Sequence, residues 1–182
     1  MRKMMRKSAL LSGAAFAMTL LISGAAFADG HDEDRKEPSD EYAPDWVDPS
    51  YAAKLSQAQA ASLIRAAGIS VSSSGGCTNR NNSTCTSFEQ INDTTINGII
   101  TLKRASGCAL TITGGTETGH SSGTYSHWNG YKVDISFSTC IGNYIVNNFT
   151  YQGKRGDGAP LYKSAAGNLY AKESTHWDIT YF

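Results

Sequence analysis

Four cysteines, Cys77, Cys85, Cys108 and Cys140, in a chain that opens with an export signal constrain the fold more than any other feature. Arg2, Lys3, Arg6 and Lys7 precede an apolar run from Ala9 to Leu21, and Ala26-Phe27-Ala28 is a small-x-small cleavage site. The pattern is that of a secretory signal peptide over residues 1–28 rather than an uncleaved anchor, because the apolar run is broken by Ser and Gly and ends at a cleavable site. An even set of cysteines in an oxidising compartment fits two disulfides; a cysteine zinc site would want a tight Cys-x-x-Cys pair, and there is none. Three pairings are open. The favoured one joins Cys77 to Cys85 across a polar loop and Cys108 to Cys140, each beside an expected strand.

Cleavage would leave 154 of the 182 residues, one domain's worth of chain. Four basic residues leave with the signal, so 12 Lys+Arg face 16 Asp+Glu, a net charge of −4. That mild acidity argues against nucleic acid as a partner. No later stretch would hold the chain in a bilayer, and the expectation is a secreted or periplasmic, cell-wall-associated monomer. Residues 29–50 are acidic and carry Pro38, Pro44 and Pro49, which reads as a solvated linker. Residues 51–182 are then the working domain.

Within that domain Ser56 caps an amphipathic helix over about Gln57 to Ala67, stopped by Gly68. Ser72 to Thr84 is a Ser/Asn/Gly-rich loop. Ser87-Phe88-Glu89-Gln90 has the capping-box pattern, and Phe88, Ile91, Thr95, Ile99 and Leu102 follow on one helical face up to Gly107. Two-residue alternation marks strands at 109–113, 131–137 and 176–181. Ile141 to Phe149 reads as a short helix, and Gly153 to Asn168 as a hairpin or long loop leading into Tyr170. This order predicts an α+β domain, with helices packed on a small, largely antiparallel sheet.

The chemistry-bearing residues fall in two short stretches. His120 and Ser126-His127-Trp128-Asn129-Gly130-Tyr131-Lys132-Val133-Asp134 form the first, and Glu173-Ser174-Thr175-His176-Trp177-Asp178 the second. A single His in a Gly/Ser loop is ordinarily a surface residue, and a single Asp a turn residue. In combination, however, His127, Asp134 and His176 supply the imidazole and carboxylate ligands of a zinc site with an open position. Gly130 eases the return of the His127 loop toward Asp134. Alternation puts His176 and Asp178 on one face of the last strand and Trp177 on the other, in the core. Asp178 could then orient a ligand imidazole from the second shell, and Glu173 could take a proton from the bound water.

Ser126-His127-x-x-Gly130-x-x-x-Asp134 resembles the Ser-x-His-x-x-Gly-x-Ala-x-Asp signature of the zinc D-Ala-D-Ala carboxypeptidases and the related L-alanyl-D-glutamate endopeptidases of phage endolysins. Glu173-x-x-His176 resembles the Glu-x-x-His that completes their site. The resemblance covers about residues 91–182. It implies the mixed α+β fold shared with the Hedgehog signalling domain, Zn2+ on His127, Asp134 and His176, and Glu173 as catalytic base. It further implies peptidoglycan stem peptides or cross-links as substrate.

The chain also departs from that pattern. Lys132 stands where the signature has Ala, and Thr113-Gly114-Gly115-Thr116-Glu117 stands where such enzymes often carry Ser-Gly-Tyr-Arg. With no arginine there, His120 becomes the candidate donor to the developing oxyanion, and Ser126, Trp128 and Lys132 the candidate substrate contacts. The aromatic residues Tyr125, Trp128 and Tyr131 would suit stacking on sugars or peptide planes. A non-catalytic, zinc-containing wall-binding module of the same fold is the rival. It would close the metal with a fourth protein ligand, and His120 is the histidine left to supply it. A metallo-amidase acting on another secreted substrate would use the same residues.

Overall fold

The computed structural model describes residues 52–182, so the signal peptide and the acidic linker lie outside the described residues. Ser56 caps α1 (Gln57–Ala66) with a full capping box, its hydroxyl accepting from Gln59 N while the Gln59 side chain accepts from Ser56 N. The second helix is shorter than the sequence pattern predicts: α2 spans Asp93–Ser106, with Asn92 as N-cap. The Ser87-to-Gln90 capping box does not form. Gln90 sits at φ 64°, outside the right-handed helical region. Glu89 instead turns its carboxylate to Gln57 N at 2.8 Å, capping the neighbouring helix. Phe88 and Ile91 are buried as expected, but from a turn and a strand rather than from a helix. Gly107 ends α2 in the left-handed conformation.

Two short strands, β1 (Lys54–Leu55) and β3 (Ile91–Asn92), pair antiparallel, and neither is visible in the sequence pattern. The main sheet has seven strands: β2 (Ser70–Val71), β4 (Thr111–Gly114), β5 (Lys132–Ser136), β6 (Thr150–Lys154), β7 (Pro160–Lys163), β8 (Leu169–Lys172) and β9 (His176–Thr180). Their spatial order is β2-β4-β5-β9-β8-β7-β6, with β2 and β4 parallel and every other pair antiparallel. Between β5 and β6 lies α3 (Thr139–Asn148). The α+β class holds, and the expected hairpin over Gly153 to Asn168 resolves into the turns joining β6, β7 and β8.

The register of β5 on β9 organises everything that follows. Val133 pairs with Ile179 and Ile135 with Trp177, and these four point to one face. There Ile96, Ile99 and Leu102 of α2 and Ile141 and Ile145 of α3 cover them in one buried cluster. Each such fully buried aliphatic contributes about 1.5–3 kcal/mol. The opposite face carries the alternate pairs: Lys132 with Thr180, Asp134 with Asp178, and Ser136 with His176.

Disulfides join Cys77 to Cys85 and Cys108 to Cys140, the favoured pairing. Among the described residues no helix is long and apolar enough to cross a membrane. Two disulfides fit an extracytoplasmic compartment.

Candidate metal centre

Asp134 and Asp178 face each other directly across β5 and β9, both buried. Like charges at such a position repel, so the pair persists only with positive charge close by. Asp178 Oδ2 accepts from Lys132 Nζ at 2.7 Å and from Arg155 Nη1 at 2.6 Å. Burial opposes ionisation of Asp178, but Lys132 and His127 outweigh it and hold the carboxyl down at about 2. On the other strand, His127 Nε2 and His176 Nε2 each lie 3.3 Å from the same oxygen, Asp134 Oδ1.

Local chain geometry fixes these groups. Gly130, at φ 81°, bends the chain back after His127, and a Cβ there would meet Gln90 O at 2.6 Å. His127 Nδ1 donates to Gly115 O at 2.7 Å, which turns Nε2 toward the carboxylates. Gly114 leaves the space that the Asp134 carboxylate fills, since a Cβ on Gly114 would lie 2.5 Å from Asp134 Oδ2. Gly114→Ala is therefore expected to push Asp134 out of position and weaken binding of a divalent ion about 10–100-fold, the scale on which groups that orient ligands act. Chelator competition on the variant measures this. Unchanged affinity would show that the carboxylate needs no such space.

His120 stacks on His127, ring centroids 3.7 Å apart and planes at 15°. Its Nε2 lies 3.3 Å from Glu117 Oε1, and Glu117 is itself fixed by Ser87 N at 2.7 Å and Gly115 N at 3.0 Å. Burial opposes the Glu117 charge, yet His120 and these amides hold its carboxyl below the usual range. His120, His127 and Asp134 form a group that could hold a metal ion, with one donor atom from each inside 4.8 Å of the others.

Glu173 reaches the same place from the loop before β9. Its Oε2 lies 3.5 Å from His176 Nε2, and its Oε1 accepts from Arg155 Nη2. One pocket is lined by His120, His127, Asp134, Glu173, His176 and Asp178, together with Gly119, Ser121, Arg155 and Asp157.

The expected substrate contacts stand elsewhere. Ser126 is buried and its Oγ accepts from Asn129 N, so it shapes the turn after His127. Lys132 lies beneath the pocket on Asp178, with 1% of its side chain exposed. Trp128 packs under the Arg80 guanidinium, 3.6 Å from its ring. Tyr125 and Tyr131 are buried against each other edge to face, which is packing rather than a stacking platform. Asp178 is not behind an imidazole: the partner of His127 Nδ1 is Gly115 O, and Asp178 Oδ1 lies 3.7 Å from the opposite ring nitrogen, Nε2. Arg155 is the pocket residue that sequence reasoning missed. It comes from the β6–β7 turn, Arg155-Gly156-Asp157-Gly158, and a basic residue in a Gly-flanked turn was its only signal.

Without a metal, protons take the place of the cation. Burial disfavours the His127 cation, but Asp134 and Asp178 outweigh it and lift its pKa from 6.5 to about 9. His176 is raised too, first by the Asp134 carboxylate beside its Nε2. A raised folded-state pKa contributes stability that is complete below the unfolded value and lost as pH climbs through the folded one, about 3 kcal/mol for His127. The Tm of the metal-free protein is expected to fall by several degrees between pH 6.5 and 9. Differential scanning calorimetry checks this, and a Tm that rises over the window would contradict it.

Comparison of the chain with protein-family models, curated proteins and solved structures returned no match.

Proposed function

We propose that the chain is a secreted zinc metallopeptidase that hydrolyses amide bonds of peptidoglycan stem peptides or cross-links. The observation carrying this reading is the pair of 3.3 Å separations from Asp134 Oδ1 to His127 Nε2 and His176 Nε2. Donors bound about 2.0–2.1 Å from one tetrahedral zinc ion stand about 3.3–3.4 Å apart. Among the described residues Asp134 Oδ1 is also buried without a hydrogen-bond partner, as an oxygen reserved for a cation would be.

His127, Asp134 and His176 would hold the ion, with the fold of the D-Ala-D-Ala carboxypeptidases and the Hedgehog domain as the corresponding architecture. A zinc ion so held lowers the pKa of a bound water and polarises an amide carbonyl. Glu173 Oε2 would take the proton of the attacking water and deliver it to the leaving amine. His120, whose Nε2 donates to Glu117, would donate to the developing oxyanion through Nδ1 in its doubly protonated form.

The wall-binding alternative needs His120 as a fourth ligand. Stacking disfavours that: imidazole lone pairs lie in the ring plane, and with ring centroids 3.7 Å apart and planes at 15°, His120 would have to leave the stack to share an ion with His127. Mass spectrometry of peptidoglycan fragments incubated with the mature chain, with chelator and then with zinc restored, tests the proposal. Zinc-dependent loss of D-Ala or a new cut in the stem is expected. Intact fragments with zinc bound would favour the binding module.

A further inference from the structure

Among the described residues two oxygens of the buried carboxylate pair have no hydrogen-bond partner, Asp134 Oδ1 and Asp178 Oδ1, and they lie 3.3 and 3.7 Å from His127 Nε2. A metal ligand role accounts for the first. The second is on a residue only 6% exposed, and an orphaned carboxylate oxygen at that depth costs stability unless something donates to it. Its partner oxygen is already committed, since Oδ2 accepts from both Lys132 and Arg155. Arg155 also holds Glu173 Oε1. The Arg155 guanidinium therefore joins three carboxylates, Asp157, Asp178 and Glu173; it leaves Asp178 Oδ1 buried without a donor among the described residues, and Glu173 Oε2 beside His176 in the pocket that Asp178 and Glu173 both line.

We infer that Asp178 is a second catalytic carboxylate, whose Oδ1 accepts one hydrogen of the attacking water while Glu173 Oε2 removes the other. The inference rests on the peptidase reading above. Water has two hydrogens, and a single acceptor leaves it free to rotate about that bond. Two acceptors fix the direction of the attacking lone pair, the orientation on which an addition step depends. The proton taken by Glu173 goes on to the leaving amine. The hydrogen held by Asp178 stays on the oxygen that becomes part of the new carboxylic acid, so no other acid or base is required. Lys132 and Arg155 act through Asp178 as positioning residues. Their shared hold on Oδ2 keeps Oδ1 pointed at the water, and their charge keeps Asp178 an acceptor rather than a competing base.

The test compares the full mature chain with Asp178→Asn, and with Lys132→Met/Asp178→Asn, in which Lys132 goes together with its carboxylate partner while Arg155 keeps Asp157 and Glu173, so that no buried cation is left uncompensated. Three readouts are taken: zinc affinity by chelator competition, the visible spectrum of the cobalt(II) form with azide titrated in as an anionic probe, and hydrolysis of a stem-peptide fragment. The expected result is zinc affinity within about fivefold of the parent, kcat down about 10²–10³-fold with KM little changed, and azide bound at least tenfold more tightly, because an anion no longer meets a carboxylate. A 100-fold loss of zinc affinity with an altered cobalt spectrum would make Asp178 a ligand and overturn the inference. Unchanged kcat and azide affinity would overturn it as well. If the parent chain binds zinc but cuts nothing, while azide still distinguishes Asp178→Asn, the peptidase reading falls and the position of Asp178 at the water stands.

Discussion

Glu173→Ala is expected to keep the bound ion and to lose hydrolysis by about 10²–10⁴-fold, the range associated with a positioned general base. Glu173 stands 3.5 Å from His176 Nε2 and is tied through its other oxygen to Arg155, so its loss removes a proton acceptor without removing a donor to the metal. The separation of the two effects is the informative part. Zinc content measured beside turnover of a stem-peptide fragment gives both. Normal turnover in the variant would sink the mechanism, while loss of zinc would reassign Glu173 as a ligand.

His127→Ala should fail in the opposite manner, losing metal and hydrolysis together, with affinity down by more than about 100-fold, beyond what groups behind the ligands contribute. The substitution also leaves Asp134 without the charge partner that holds its carboxyl well below the ordinary range against burial. Zinc-dependent thermal stabilisation should then disappear, since an ion that no longer binds the folded state cannot shift its Tm. His120→Ala is the informative partner, for which the proposed ligand set of His127, Asp134 and His176 predicts zinc affinity within about tenfold of the parent. Equal losses for His120→Ala and His127→Ala would point to a closed site.

The legible parts of the molecule were those written in short-range pattern. Alternation through Lys132-Val133-Asp134-Ile135 and His176-Trp177-Asp178-Ile179 correctly separates the core face from the site face, because strand geometry admits only two directions for a side chain. Ser56 and Gly107 bound their helices by local chemistry alone. The misread start of α2 shows the limit: Ser87-Phe88-Glu89-Gln90 has the residues of a capping box, but Glu89 is claimed by Gln57 N, 32 positions away, and the following pair joins β1. A one-dimensional pattern contains no information about such a competitor. Neither could the sequence bring Arg155 to Asp178 and Glu173, since that meeting depends on how the β6–β7 turn folds over β8 and β9. The missing arginine makes Lys132 a candidate substrate contact in the sequence; its place opposite Thr180, diagonal to Asp178, makes it a buried counter-ion instead.

The most direct measurement is anomalous diffraction at the zinc edge from crystals of the metal-loaded mature chain. The account predicts one peak, about 2.0–2.2 Å from His127 Nε2, Asp134 Oδ1 and His176 Nε2, with a fourth position open to solvent and Asp178 Oδ1 outside bonding distance. A peak ligated by His120, or no peak among these residues, would contradict it.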